Sequence, residues 1–512
     1  MTRIFSGLLV GGLVGCASSV SMIAQEPLHL ERLPAIPLRD AMQAIETQPG
    51  FAVELVASEP LVSSPVAMEF DAAGDLFVVE MIDYSEQEHE ALGRVTRLRD
   101  TNHDGLMDES EIILSDLSWP TAITKVGADV WVAAPPNLIS TTPVSGLLAS
   151  PQILLEGFGR QNVQGLANSF RWGLDSRMHL STSSNGGLLT APDSSRIRVD
   201  KAPRQVSGRD VAIDVITGSL YDVVGYGQHG MDFSPWGDRF VTSNSDHLQQ
   251  VVAWYLPELT DTLLSRGIAW RRSIAVDGPQ AEVFRLSPVE PWRTLRTQMR
   301  LSGASIGLLE GGGRASGYFT SATGVTIYDG DQWPESERMV AVVADVGSNL
   351  VHRKLLRPDK LAYKGERIDE NTEFVRSKDT WFRPVQFAHG PDGCLYIVDM
   401  ARETIEHPKD QDAQSSQRLA SRNRFLAIGP RPGSARDPGV TSHGCLAFFP
   451  IRPIACLVRS RCCSWKHGFR DVVGPTEGCT SEGATVGLDF VASISGCHSG
   501  CRAATRAAAV VQ

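Results

Sequence analysis

Twelve consecutive residues, Asp100-Thr-Asn-His-Asp-Gly-Leu-Met-Asp-Glu-Ser-Glu111, carry oxygen donors at the spacing of a calcium-binding loop. Asp100, Asn102 and Asp104 alternate, so their side chains can converge on one hard cation. Gly105 permits the sharp turn, Leu106 offers its carbonyl, Asp108 holds the ninth place and Glu111 can bind through both oxygens. Donors of this kind and number suit Ca2+ better than a transition metal. An acidic surface turn without an ion is the simpler alternative. The flanks, Val95-Thr-Arg-Leu98 and Ile112-Ile-Leu114, read as strand ends and not as the long helices of a calcium sensor. The loop therefore reads as a staple between strands.

Other reactive side chains cluster beside short apolar runs. His229 precedes one run, and Asn244 and His247 follow it; Asn349, His352 and Arg353 follow a second; Arg383, His389, Asp399 and Arg402 flank a third. A histidine near neutral pKa can serve as a general base, and a guanidinium fork binds carboxylates. Each residue also has a plain structural role: His and Asn beside turns bond backbone, and Arg after a strand makes salt bridges. Motifs of other chemistries are missing. Gly311-Gly-Gly313 is not followed by the Gly-Lys-Ser/Thr of a phosphate loop, and no GxGxxG, GxSxG or HExxH occurs.

The elements that must hold these residues recur. Phe382-Arg-Pro-Val-Gln-Phe-Ala-His-Gly-Pro-Asp-Gly-Cys-Leu-Tyr-Ile-Val-Asp-Met400 repeats an earlier Pro65-Val-Ala-Met-Glu-Phe-Asp-Ala-Ala-Gly-Asp-Leu-Phe-Val-Val-Glu-Met81. Looser copies begin at Gly127, Trp172 and Phe233, and one at Arg338 lacks the glycine turn. Strand–turn–strand units at roughly 45–60 residue intervals predict four-stranded propeller blades. The expectation is an all-β propeller of about six blades over residues 48–424, whose channel mouth gathers loop residues from distant segments.

Outside that span the chain changes character. Arg3, the apolar stretch Ile4 to Val14 and the small residues after it read as a signal peptide over 1–17, followed by a linker over 18–47. Leu13-Val-Gly-Cys16 has the form of a lipobox with Cys16 as the lipidated residue; cleavage after Ala17 is the alternative. Either implies export, to the periplasm or outer membrane as a lipoprotein, or as a secreted protein. Seven of the nine cysteines lie between Cys445 and Cys501, and from Phe425 onward there are nine basic against five acidic residues. Residues 425–512 therefore read as an aberrant, frameshifted or disordered Cys-rich tail. The net charge of −11 argues against nucleic acid as a partner. No apolar run after the N-terminus is long enough for a membrane span, which leaves a lipid anchor as the expected membrane contact.

The ordered motifs resemble a large planctomycete and verrucomicrobial family of membrane-bound dehydrogenases. Its propeller is similar to glucose/sorbosone dehydrogenases that use pyrroloquinoline quinone (PQQ). The resemblance covers about residues 48–424 and rests on the calcium-type loop, Leu117-Ser-Trp-Pro-Thr121, Gly227-Gln-His-Gly230, Ser243-Asn-Ser-Asp-His247, Val289-Glu-Pro-Trp-Arg293, Gly347-Ser-Asn-Leu-Val-His-Arg353 and Trp381-Phe-Arg-Pro384. It implies a PQQ-dependent sugar or alcohol dehydrogenase passing electrons to an acceptor such as a cytochrome. His229 or His247 would then be the base, and Arg314, Asn349, Arg353 and Arg383 would hold the cofactor. His229 stands where the family leads one to expect an aromatic side chain. A non-catalytic propeller binding carbohydrate or a protein partner is the second reading, and a calcium-using lactonase or other hydrolase the third.

Overall fold

The computed structural model describes residues 31–85, 87–144, 146, 150–200, 203–252, 270–307, 309–330, 332–405 and 424–430. The expected signal peptide with Cys16, and the Cys-rich stretch from residue 431 onward, lie outside the described residues.

Asp/Gly turns start the architecture. In the first of them Asp71 Oδ1 accepts from the Ala73 and Asp75 amides at 2.8 and 3.1 Å, and Gly74 takes a φ of +90°. This turn joins strands Pro65–Phe70 and Leu76–Glu80. Equivalent hairpins pair Ala122–Val126 with Asp129–Ala134, Asn168–Trp172 with Met178–Ser181, Met231–Phe233 with Arg239–Ser243, and Pro384–His389 with Leu395–Asp399. Each sequence copy that carries a glycine turn is such a hairpin. The copy without one is Val340–Asp345, which reaches its partner Ala322–Tyr328 across a longer connection.

Each pair seeds one sheet, and the strands form six antiparallel sheets in a β-propeller arrangement. Leu76–Glu80, Val340–Asp345 and Leu395–Asp399 are buried at every residue, because neighbouring sheets cover both of their faces. That double cover explains why these strands read as apolar runs without alternation. The core is consequently a set of seams. Val79 and Val95 of the first sheet pack with Val130 and Val132 of the second, Leu154 of the second with Leu180 of the third, and Phe240 of the fourth with Val343 of the fifth. Val342 of the fifth meets Phe387 of the sixth, and Val398 of the sixth meets Val78 of the first. The seam between third and fourth sheets has a buried ionic part: Arg239 pairs with Asp210, and Arg171 bonds Asp232 at 2.9 Å.

Distant chain segments shut the ring. Strand Phe51–Ser58 pairs with Arg424–Pro430 and becomes the outermost strand of the sixth sheet, while Ile45–Thr47 pairs with Val375–Ser377 in the fifth. The propeller thus reaches beyond 48–424 at both ends, taking in part of the expected linker and the first residues of the expected tail. Among the described residues one helix exceeds a single turn, Pro291–Leu301, with proline at its first position. None is long and apolar enough to cross a membrane.

A chain ending at residue 423 should lose its cooperative urea transition, because Phe51–Ser58 becomes an unpaired edge and Leu426 leaves the core. A chain ending at 430 should keep that transition. Equal unfolding curves for the two would refute closure through Arg424–Pro430.

Candidate functional site

The innermost strand of every sheet starts at the same end of the ring, and the residues at or just before those starts meet around one cavity. They are Val66, Thr323 and Val385 within such strands, Thr121 and His229 one and two residues before theirs, and Val163 in a short turn leading to Asn168–Trp172. Met81, Asn244, Val346 and Met400, just past the second strands, line it as well. The cavity holds about 350 Å3, near the lower end of the range for small-molecule sites. Much of the wall is apolar. Gln164, Gln228 and Asn244 supply side-chain amide groups, and the Gln228 side-chain oxygen accepts from the Asn244 backbone N–H at 3.1 Å.

Charge enters from the helix. Arg293, Arg296 and Arg300 are three and four residues apart, hence on one face, and all three line the cavity. Glu310 is the one carboxylate among the lining residues. The helix is anchored at its N-terminus by Glu290, which pairs with Arg285 (3.3 Å), Arg293 (3.5 Å) and Arg383 (3.2 Å). Burial works to raise the Glu290 pKa, but Arg383, Arg293 and Arg285 together hold it down to about 2. The carboxylate is therefore a permanent tie.

His229 is the histidine of this mouth. Its Nδ1 lies 2.6 Å from Thr323 Oγ1, and among the described residues Nε2 has no hydrogen-bond partner. Burial pushes its pKa down to about 4, so the ring is neutral near pH 7. His247 lies elsewhere. It is fully buried in the seam between fourth and fifth sheets, stacked on Phe319 at 4.1 Å, with Nδ1 2.7 Å from the Pro279 carbonyl.

The expected cofactor-binding residues do not gather at the cavity. Arg353 is buried, holds Asp369 through two bonds of 2.8 and 2.9 Å, and stacks on Phe374. Arg383 is wholly buried and donates to Glu290 and to the carbonyls of Val346, Arg402 and Glu403. Asn349, in a left-handed turn at φ +58°, donates to the carbonyls of Thr380 and Phe382 and accepts from Ser287. Arg314 is on the surface, 53% exposed, beside Glu282 at 3.8 Å. These four tie the scaffold or face solvent. The residues missed from sequence are Arg296 and Arg300, whose signal was the three-and-four spacing after Arg293.

The acidic loop joins Gly93–Arg99 to Glu109–Leu117. Asp100 accepts from the Asp104 and Gly105 amides, Asn102 from Asp104, and Asp104 from Leu106. Asp108 accepts from the Thr101 amide and hydroxyl, and Leu106 is exposed. Glu111 is turned away. It stands directly across the strand pair from Arg97, bonds Arg97 and Arg99, and accepts from the Gly146 amide at 2.7 Å. Those interactions lower its pKa, the Gly146 amide most. Among the described residues no three His, Cys, Asp or Glu side chains lie close enough to hold a metal ion. In this arrangement Glu111 is engaged by Arg97, Arg99 and the Gly146 amide and not by the rest of the loop.

A propeller with a neutral histidine and a row of guanidiniums at its channel mouth is the class of protein these features define. Residues 37–426 match the family described as a domain of unknown function (DUF7133), and the chain belongs to it. No curated protein matches. Among solved structures, the chain is similar to the PQQ-bound aldose sugar dehydrogenase of Streptomyces coelicolor, at 13% identity over 75% of this chain and 100% of that one, TM-score 0.38. It is also similar to the PQQ domain of a pyranose dehydrogenase from Coprinopsis cinerea, at 13% identity, 75% and 97% coverage, TM-score 0.41. A luciferin-regenerating enzyme is similar at 10% identity, 74% and 95% coverage, TM-score 0.42. None of these likenesses carries a residue's role across.

Arg353→Met should cost about 3–5 kcal/mol in urea unfolding, because Asp369 is left buried without its partner. Arg314→Met, at an exposed position, should stay within about 0.5 kcal/mol of wild type. Equal effects would show that burial has been misassigned to these arginines.

Proposed function

We propose that this protein is an exported oxidoreductase of the quinone-dependent sugar or alcohol dehydrogenase type, working at the mouth of the propeller channel. The observation that carries the reading is a neutral histidine with an open ring nitrogen in the same cavity as three guanidiniums. Each of the six sheets is read as one blade.

The donor set fits PQQ, a planar ligand bearing three carboxylates. Arg293, Arg296 and Arg300 match carboxylates through forked, charge-assisted bonds, and Gln164, Gln228 and Asn244 offer amide contacts. When bound, the quinone supplies the two-electron acceptor. The protein's own residues do the rest. His229 Nε2 accepts the proton of a sugar or alcohol hydroxyl, and the apolar wall excludes water from that hydrogen bond. Arg353, Arg383 and Asn349 serve the scaffold, Arg314 faces solvent, and His247 is too enclosed to reach a substrate. Cys16 as a lipid anchor and a cytochrome as electron acceptor complete the proposal; both rest on the sequence alone.

Purified protein should reduce a redox dye with an aldose panel once PQQ is added, and His229→Gln should lower that rate about 10²–10⁴-fold. The base works only unprotonated. With its pKa near 4, activity should hold as pH falls from neutral and drop near pH 4, not near the ordinary histidine value of about 6.5. Arg296→Gln or Arg300→Gln should each weaken PQQ binding about 10- to 100-fold, the worth of one charge-assisted bond. Tight glycan binding without PQQ binding would favour the non-catalytic reading instead.

Calcium in the Asp100–Glu111 loop is proposed as a structural ligand only, and Glu111 would first have to leave Arg97 and Arg99. If it binds, Ca2+ at about a hundredfold excess over Kd should stabilise wild type by about 2.7 kcal/mol. The Asp104→Asn variant should respond less. No shift in melting temperature with millimolar Ca2+ would remove calcium from the account.

A further inference from the structure

His229 can contribute a lone pair to the cavity only if the proton of its neutral ring sits on the other nitrogen. Thr323 Oγ1, 2.6 Å from Nδ1, is the atom that decides this. Two backbone oxygens crowd the same hydroxyl, the carbonyls of His229 and Val385, each at 3.3 Å. A hydroxyl has one hydrogen.

If that hydrogen pointed at Nδ1, three oxygens would face one another with none between them, and Nε2 would carry the ring proton. If it points at a carbonyl, Nδ1–H donates to Oγ1 and Oγ1–H donates onward, giving two hydrogen bonds in place of one. The second arrangement satisfies more of the buried polar groups and removes the oxygen–oxygen repulsion.

We propose that Thr323 is a positioning residue that fixes His229 as its Nδ1–H tautomer and presents the Nε2 lone pair to the cavity. The backbone supports the same geometry, since the Gly324 amide donates to the His229 carbonyl at 2.9 Å. Thr323 therefore joins the inner-strand starts of the fourth, fifth and sixth sheets at one oxygen. The catalytic meaning of this tautomer rests on the oxidoreductase reading; the tautomer itself does not.

The test is nitrogen NMR of the full chain labelled with 15N-histidine, with the His229 signals assigned by their loss in His229→Gln. Wild type should show a protonated, pyrrole-type Nδ1 and an unprotonated, pyridine-type Nε2. Thr323→Val, close in shape, should move the ring to a mixture or to the Nε2–H form, and Thr323→Ser should restore the wild-type signals. Thermal unfolding of the variants identifies any that fail to fold. An Nε2–H ring in wild type, or unchanged signals in a folded Thr323→Val, would overturn the proposal. Absent dye reduction alongside the expected signals would sink the oxidoreductase reading and leave the tautomer standing.

Discussion

Backbone hydrogen bonds between Phe51–Ser58 and Arg424–Pro430 hold the ring shut, and the site depends on that closure. A row of sheets packed face to face has two raw ends, each exposing apolar surface and an unpaired strand edge. Here the N-terminal strand finishes the last sheet, and that sheet packs against the first through Val56, Val78 and Val398. Closure lets strand starts from distant sheets meet at one cavity. Val66 and Val385, which are 319 positions apart, then share a wall with His229.

The same geometry decides what an arginine can do. Between sheets water is excluded, so a guanidinium persists only where carboxylates or carbonyls absorb its donors. Arg239, Arg353 and Arg383 occupy such places, and their forks are engaged with Asp210, Asp369 and Glu290 respectively. The helix Pro291–Leu301 differs because it borders the cavity: Arg293 at its start is buried and tied to Glu290, and Arg296 and Arg300 follow on the same face along the cavity wall. Arginines in the seams and arginines lining the cavity are therefore the same residue type in different surroundings.

This sorting explains what was legible in the chain. Turn-and-strand copies were readable because their cause is local: Asp71 and Gly74 bend the backbone within four residues. Closure was not readable, since nothing inside Phe51–Ser58 announces a partner more than 360 residues away. His229 could be picked out beside an inner strand. His247, only 18 positions on, has the same local look and ends up stacked on Phe319 in a seam. Glu111 matched the calcium spacing, yet the strand register sets it opposite Arg97. Sequence spacing describes reach along the chain; register and seams decide what else competes for the side chain.

Two carboxyl groups near the helix show how firmly the mouth's charge is set. Glu290 is driven to about 2 by the arginines despite its burial. Asp345, also under the influence of Arg293 and Arg285 but without a salt bridge to either, is raised by burial to about 6, with the Thr320 and Gly347 amides at 3.3 and 3.2 Å and those arginines only partly offsetting it. Direct pairing wins against desolvation in the first case, and desolvation wins in the second. Near neutral pH, then, Glu290 keeps its charge while Asp345 lies close to its titration point. Asp345 and Arg293 interact electrostatically, so losing the Asp345 charge on acidification makes the arginine face more positive. The arginine face of the cavity thus keeps its positive sign across the pH range in which His229 stays neutral.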